Sequence, residues 1–266
     1  MITLSSDFGS PYPAAMKGVI LQTTDARLID VTHELPRQDV RAAAFWCRET
    51  IPYFPSAVHV IVVDPGVGTD RDAIMIRVGD HALIGPDNGV LRPVARQLSE
   101  QLQDETMGLK NNIEYFRYEY TEPQSATFHG RDVFAPAAAA IHDCGIASVE
   151  TLDAVTSVPA TATVQCKFPS ATIDTDDTTA TGEVLVIDDF GNIITNIPGS
   201  FLADRAGEMA TVGTTTAEVT STFADVDTGD PLLTVGSHGF VECDVNHGRG
   251  TEIFELEIKD TVQIRF

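Results

Sequence analysis

A chain of 266 residues has room for one large domain or two modest ones, each with its own core. Against 39 acidic residues stand 17 basic ones, four of them lysines, for a formal net charge of −22. Such a surface repels nucleic-acid backbone and anionic membrane, so neither is expected as a partner. The acids are scattered, which argues against a disordered acidic tail and fits a folded protein working in high salt, a halophile's adaptation.

Up to about residue 145 short strands alternate with helices. ITLSS, ARLIDVT, AVHVIVVD, AIMIRVG and HALIG read as strands. PAAMKGVILQTT, DVRAAAFWCRETI, GVLRPVARQLSE and RDVFAPAAAAIHDCG read as helices, the last starting after Pro136 or kinked there. This alternation predicts an α/β domain with a largely parallel sheet over residues 1–160. From Thr161 the texture turns to Thr, Val, Asp and Gly, and TATVQCKF, GEVLVIDD, NIITNI, PLLTVG and TVQIRF read as strands across turn signals. A smaller all-β, barrel-like domain is expected over 161–266. The N-terminus, MITLSSDFG, has no basic leader and no stretch approaches a membrane span, so a cytoplasmic location is expected. Cys47, Cys144, Cys166 and Cys243 form no Cys-x-x-Cys pair and read as small buried hydrophobes; with the histidines dispersed, no metal site is expected.

Four clusters carry chemistry. In SSDFG, Asp7 ends the first strand, where a carboxylate grips a ribose diol or else serves as a turn residue. In VIVVDPGVGTDR, Asp64 leaves a strand at the same kind of edge and Arg71 follows across the loop, as an active pair or as a loop-fixing ion pair. A phosphate cradle is disfavoured there, because the third glycine and a Gly-Lys-Ser/Thr ending are missing and Pro65 lacks an N–H. In TFHGRD, His129 is a packed residue or a proton acceptor, Gly130 permits close approach, and Phe128 suits a planar base. The β half supplies IDDFGNIITN, a turn with Phe190 at its tip, and GSHGFVECDVNHG, with Ser237, His238, Glu242 and Asn246. A Gly-x-Ser-x-Gly nucleophile elbow is missing.

Taken together the chain resembles the S-adenosylmethionine hydroxide adenosyltransferases, relatives of the fluorinase and chlorinase enzymes. SDFG, PYPAAMKG, IDVTHEL, VVDPGVGTDR, LIGPDNGVL, TFHGRDVFAP, IDDFGNIITNI and GSHGFVECDVNHG occur in the family's order. The resemblance implies an α/β domain followed by a β-barrel, and a homotrimer whose sites lie between subunits. It implies Asp64, Arg71 and His129 as the trio that positions and activates water, and Asp7 on the ribose hydroxyls. Tyr12, Phe128, Gly130 and Phe190 would line the nucleoside pocket. Asp188, Asn192, Ser237, Glu242 and the backbone near Val245 would meet the adenine and methionine ends. The Gly9–Lys17 segment is about two residues shorter than in relatives, and His238 stands where the fluorinase has arginine.

The implied reaction is hydrolysis of S-adenosyl-L-methionine at ribose C5′ to adenosine and L-methionine, with no cofactor, since the substrate is a small molecule carrying its own leaving group. Halogenating relatives replace the His-Gly pair by Tyr-Ser or similar residues, so His129 and Gly130 favour water. A halide-dependent adenosyl transferase and a non-catalytic nucleoside sensor are the alternatives.

Overall fold

The computed structural model of the protein describes residues 1–105 and 113–266, which fall into two compact units, Met1–Lys167 and Phe168–Phe266. In chain order the first unit contains β1 (Ile2–Ser6), α1 (Tyr12–Ile20), β2 (Leu28–Thr32), α2 (Val40–Thr50), β3 (Val58–Val62), β4 (Ala73–Val78), β5 (His81–Pro86) and α3 (Leu91–Glu105). It continues with β6 (Ile113–Tyr118), α4 (Ala135–Cys144) and β7 (Val155–Val158).

The strands form one sheet in the order β2-β1-β3-β5-β4-β6-β7. The ladders joining β2, β1, β3 and β5 are parallel. Those joining β5, β4, β6 and β7 are antiparallel. The parallel sheet expected from the alternation is therefore the half that carries β1 and β3. One face buries Ile2, Leu4, Val58, Val60 and Val62 against Met16 and Ile20 of α1 and the alanine-rich α4; α2 packs with α3.

The chain leaves β1 for β2 on one side and returns to β3 on the other, so β1 and β3 flank a topological switch point. In open α/β sheets the crevice at the carboxyl ends of two such strands is where ligands bind. Ser6 stands beside Val62 in the register, so Asp7 and Asp64 leave neighbouring strands at that edge.

The reading of residues 131–145 as a helix holds from Ala135, with Pro136 in the first turn, where its missing N–H has no intrahelical partner to lose. Before it, Gly130–Phe134 forms one π-helical turn. TATVQCKF is not a strand. A 3₁₀ turn spans Ala160–Ala162, and the groups beyond are taken by side chains: Val164 N–H donates to Asp87, Arg92 to Thr163 Oγ1, and Arg96 to the Cys166 carbonyl. Cys47 and Cys243 are buried as expected, whereas Cys144 and Cys166 are half-exposed.

The second unit contains β8 (Thr172–Ile173), β9 (Thr179–Ile187), β10 (Ile193–Pro198), β11 (Met209–Val212), β12 (Thr215–Val219), β13 (Pro231–Val235), β14 (Phe240–Val245), α5 (Gly250–Phe254) and β15 (Thr261–Arg265). The order β10-β14-β13-β12-β11-β15-β9 closes through a β9–β10 pairing, with β8 added to β9. Closure leaves the seven barrel strands without a free edge. Along β14 the period of two sends Val241, Cys243 and Val245 into the barrel core and Glu242 and Asp244 to the opposite face. Among the described residues no helix is long and apolar enough to cross a membrane.

Candidate active site

The loop after β3 is built around Asp64. Its Oδ1 accepts the Gly66 N–H at 3.0 Å and lies 3.3 Å from Arg71 Nε, while Oδ2 makes no hydrogen bond among the described residues. The Asp64 side chain is 6% exposed, so the ion pair is sheltered on its acidic side. Gly68 sits at φ +82°, and a Cβ there would meet the Ala126 carbonyl oxygen at 2.6 Å. Only glycine lets this loop lie against the segment that leads into TFHGRD.

Asp7 is fixed by the chain that enters α2. The Gln38 N–H donates to Asp7 Oδ2 at 2.8 Å, and the next residue, Asp39, caps the helix by accepting from the Arg41 and Ala42 N–H groups. Asp7 Oδ1 makes no hydrogen bond among the described residues. Phe128 receives the edges of Phe8 at 5.9 Å and Tyr12 at 5.4 Å between ring centroids, with the Arg131 guanidinium 5.1 Å over its ring. Arg131 is also held by Asp132, whose carboxyl this guanidinium keeps below the usual range.

Two cavities lie here. One, of about 440 Å³, is lined by Asp7, Phe8, Tyr12, Arg37, Asp64 and Phe128 among others. The second, of about 660 Å³, is lined by Arg71, Tyr120 and the buried His129, with Asp70, Asp72 and Glu119. The 3.3 Å contact between Asp64 and Arg71 therefore joins the walls of the two. Chemically, the first presents carboxylates and an aromatic wall, and the second a guanidinium and an imidazole, with the Asp64–Arg71 ion pair between them.

In the second unit, the Asp188–Asn192 turn closes on itself: Asp188 Oδ1 accepts the Asn192 N–H at 2.9 Å and Oδ2 the Asn192 amide at 3.0 Å. Phe190 at its tip is 78% exposed, an unusual place for a phenyl ring. His238 Nε2 lies 3.2 Å from Glu242 Oε1. Burial raises the carboxyls of both Glu242 and Asp244 above the ordinary range, and repulsion between the two adds to it for Asp244.

Residues 2–152 match the profile described as the SAM hydroxide adenosyltransferase N-terminal domain, and residues 182–263 match that of its C-terminal domain. The chain belongs to the SAM hydroxide adenosyltransferase family. Proteins named (R)-S-adenosyl-L-methionine hydrolase from Salinispora tropica and Salinispora arenicola are 36% and 37% identical to it, each over 99% of this chain and 97% of the relative. A crystal structure of an uncharacterized conserved protein from Thermotoga maritima superposes with a TM-score of 0.80 at 32% identity, covering 100% of both chains.

For this family member the structure brings Asp7, Tyr12, Asp64 and Phe128 around one cavity, and Arg71 and His129 around the next. Gly130 lines neither. A Cβ on it would come within 2.7 Å of the Phe8 ring, so the close approach it permits is internal. In the second unit Asp188 and Asn192 share a turn, Ser237 is exposed in the turn before β14, and Glu242 is buried on β14. The Val245 side chain lies in the barrel core, so any ligand contact at that position is through its backbone. Arg37, Gln38 and Tyr120 line the cavities and escaped the sequence reading. Gln38 could have been found as the neighbour of the Asp39 helix cap; Tyr120 required β6 to be read as a strand.

Proposed function

We propose that this protein hydrolyses S-adenosyl-L-methionine by attack of water on ribose C5′, giving adenosine and L-methionine. The observation that carries the reading is the sheltered Asp64–Arg71 pair, with one carboxylate oxygen spare, at the β1/β3 switch point beside the Asp7 cavity. The relatives named as hydrolases support it along the whole chain.

In the proposed step a water oxygen forms a bond to C5′ while the C5′–S bond breaks, its electron pair going to sulfur. The sulfonium thereby becomes the neutral thioether of methionine, so the leaving group requires no acid, metal or redox cofactor. Water must lose a proton, which Asp64 or His129 accepts, and Arg71 stabilises the developing hydroxide. Asp7 holds the ribose diol, and Tyr12, Phe128 and Phe190 enclose the nucleoside. Gly130 seats Phe8 behind that wall. Asp188, Asn192, Ser237, Glu242 and the Val245 backbone meet the adenine and methionine ends.

Residues 1–160 then serve as the water-activating domain and 161–266 as the domain that completes the substrate site. We further propose a cytoplasmic homotrimer with sites between subunits, in a halophilic cell. The exposed Phe190 and the charge of −22 support these two points. Incubation with S-adenosylmethionine in chloride buffer tests the function. Adenosine with methionine is expected; 5′-chloroadenosine would instead make it a halide transferase, and binding without turnover a sensor.

A further inference from the structure

A catalytic imidazole works only in the right orientation, and catalytic histidines are usually oriented by a third group. Neither ring nitrogen of His129 makes a hydrogen bond among the described residues. What meets the ring is Tyr120, edge to face, with centroids 6.1 Å apart and an interplanar angle of 60°. The Tyr120 O–H also points to the Arg71 carbonyl oxygen at 3.5 Å.

The backbone explains why one side chain reaches both. β4 and β6 pair antiparallel as far as Ala73 opposite Tyr118, and Arg71 and Tyr120 each lie two residues beyond that end of the ladder. The Glu119 N–H bonds the Ala154 carbonyl at 2.7 Å, which anchors the chain beside Tyr120 where β6 has ended. Burial, and then the charges of Asp72, Asp64 and Asp70, raise the phenol above its ordinary value. Tyr120 therefore stays protonated at neutral pH and does not compete for the proton of water.

From this geometry we propose that Tyr120 is a positioning residue for the hydrolytic step, fixing the His129 ring by its own aromatic ring and the Arg71 backbone by its hydroxyl. The inference rests on the hydrolase reading. At 3.5 Å the hydroxyl contact is long, so the ring carries most of the effect. A misplacement on the order of 1 Å costs about 10²-fold in rate when it falls on a reacting group.

The test compares Tyr120→Phe with Tyr120→Leu, which keeps bulk but removes the ring. Both are checked for native melting, and the His129 ring-proton NMR signal is assigned through His129→Gln. Tyr120→Phe is expected to lower kcat only about 2- to 3-fold, as the loss of one weak hydrogen bond would. Tyr120→Leu is expected to lower it about 10²-fold with KM within about 3-fold, to move the acid limb of the pH–rate profile, and to shift the His129 signal. Equal kcat for the two variants, or an unmoved His129 signal, overturns the proposal. If the wild type turns over no S-adenosylmethionine the hydrolase reading fails by itself, whereas active wild type with an unmoved His129 signal in Tyr120→Leu fails the positioning role alone.

Discussion

Asp64 shows how much local wiring one carboxylate needs before it can act. One oxygen is committed to the Gly66 N–H and to Arg71, and the other makes no hydrogen bond among the described residues, which is what the proposed water-positioning role requires. Gly66 is the vulnerable point, because a Cβ there would lie 2.2 Å from the Arg71 guanidinium. Gly66→Ala should leave melting nearly unchanged, since the clash falls on the far end of a flexible arginine side chain that can swing aside. It should lower kcat by about 10²-fold, because the cation no longer faces the nucleophile; a kcat equal to wild type would remove Arg71 from the mechanism. Asp64→Ala and His129→Ala should each cut kcat by about 10²–10⁴-fold with little change in KM, measured by adenosine release. At this scale the sequence was informative where motif residues sit on one loop, as in VVDPGVGTDR. It was silent on Tyr120, whose place depends on strand register, and marked Gln38, which contributes only a backbone N–H, no further than by the Asp39 helix cap beside it.

Among the elements, the parallel strands β3 and β5 announced themselves because both faces are buried: each is buried at every position and mostly apolar. β6 and β7 escaped because only Phe116 is deeply buried among their ten residues, so charged and aromatic residues alternate without a clear period. TATVQCKF had strand composition, yet side chains from α3 and its approach bond the Val164 N–H and the Cys166 carbonyl, an effect invisible to propensity. Three strands also carry a polar ladder on the sheet face away from α1: Thr3 Oγ1 lies 2.8 Å from His59 Nδ1, and His59 Nε2 lies 3.0 Å from His81 Nδ1. Burial, reinforced by His81, pushes His59 down to about 3, so it is neutral in the fold. The unfolded chain takes up this proton below about pH 6.5, the ordinary histidine value, and the folded one does so only near pH 3. Stability from this group is thus intact above pH 6.5 and falls as the pH drops towards 3. Melting temperatures of wild type and His59→Gln should diverge less at pH 4 than at pH 7, because the variant lacks the penalty; an equal gap at both would contradict the assignment.

For the whole molecule, a charge of −22 means self-repulsion that salt relieves. The Debye length shrinks from about 10 Å at 0.1 M to about 3 Å at 1 M. The melting temperature should therefore rise between 0.1 and 2 M potassium chloride, and a flat or falling curve would count against a halophilic setting. The two-domain texture and the family were readable from the sequence because eight motifs recur in order, whereas barrel closure through β9 and β10 pairs segments that leave no mark on each other's composition. Hydrolysis at C5′ is decided by where one oxygen atom comes from. Turnover in heavy-oxygen water, read by mass spectrometry, should place one label on the adenosine 5′-hydroxyl and none on methionine. Adenosine released without label, or a 5′-halogenated nucleoside in its place, would contradict water attack at C5′.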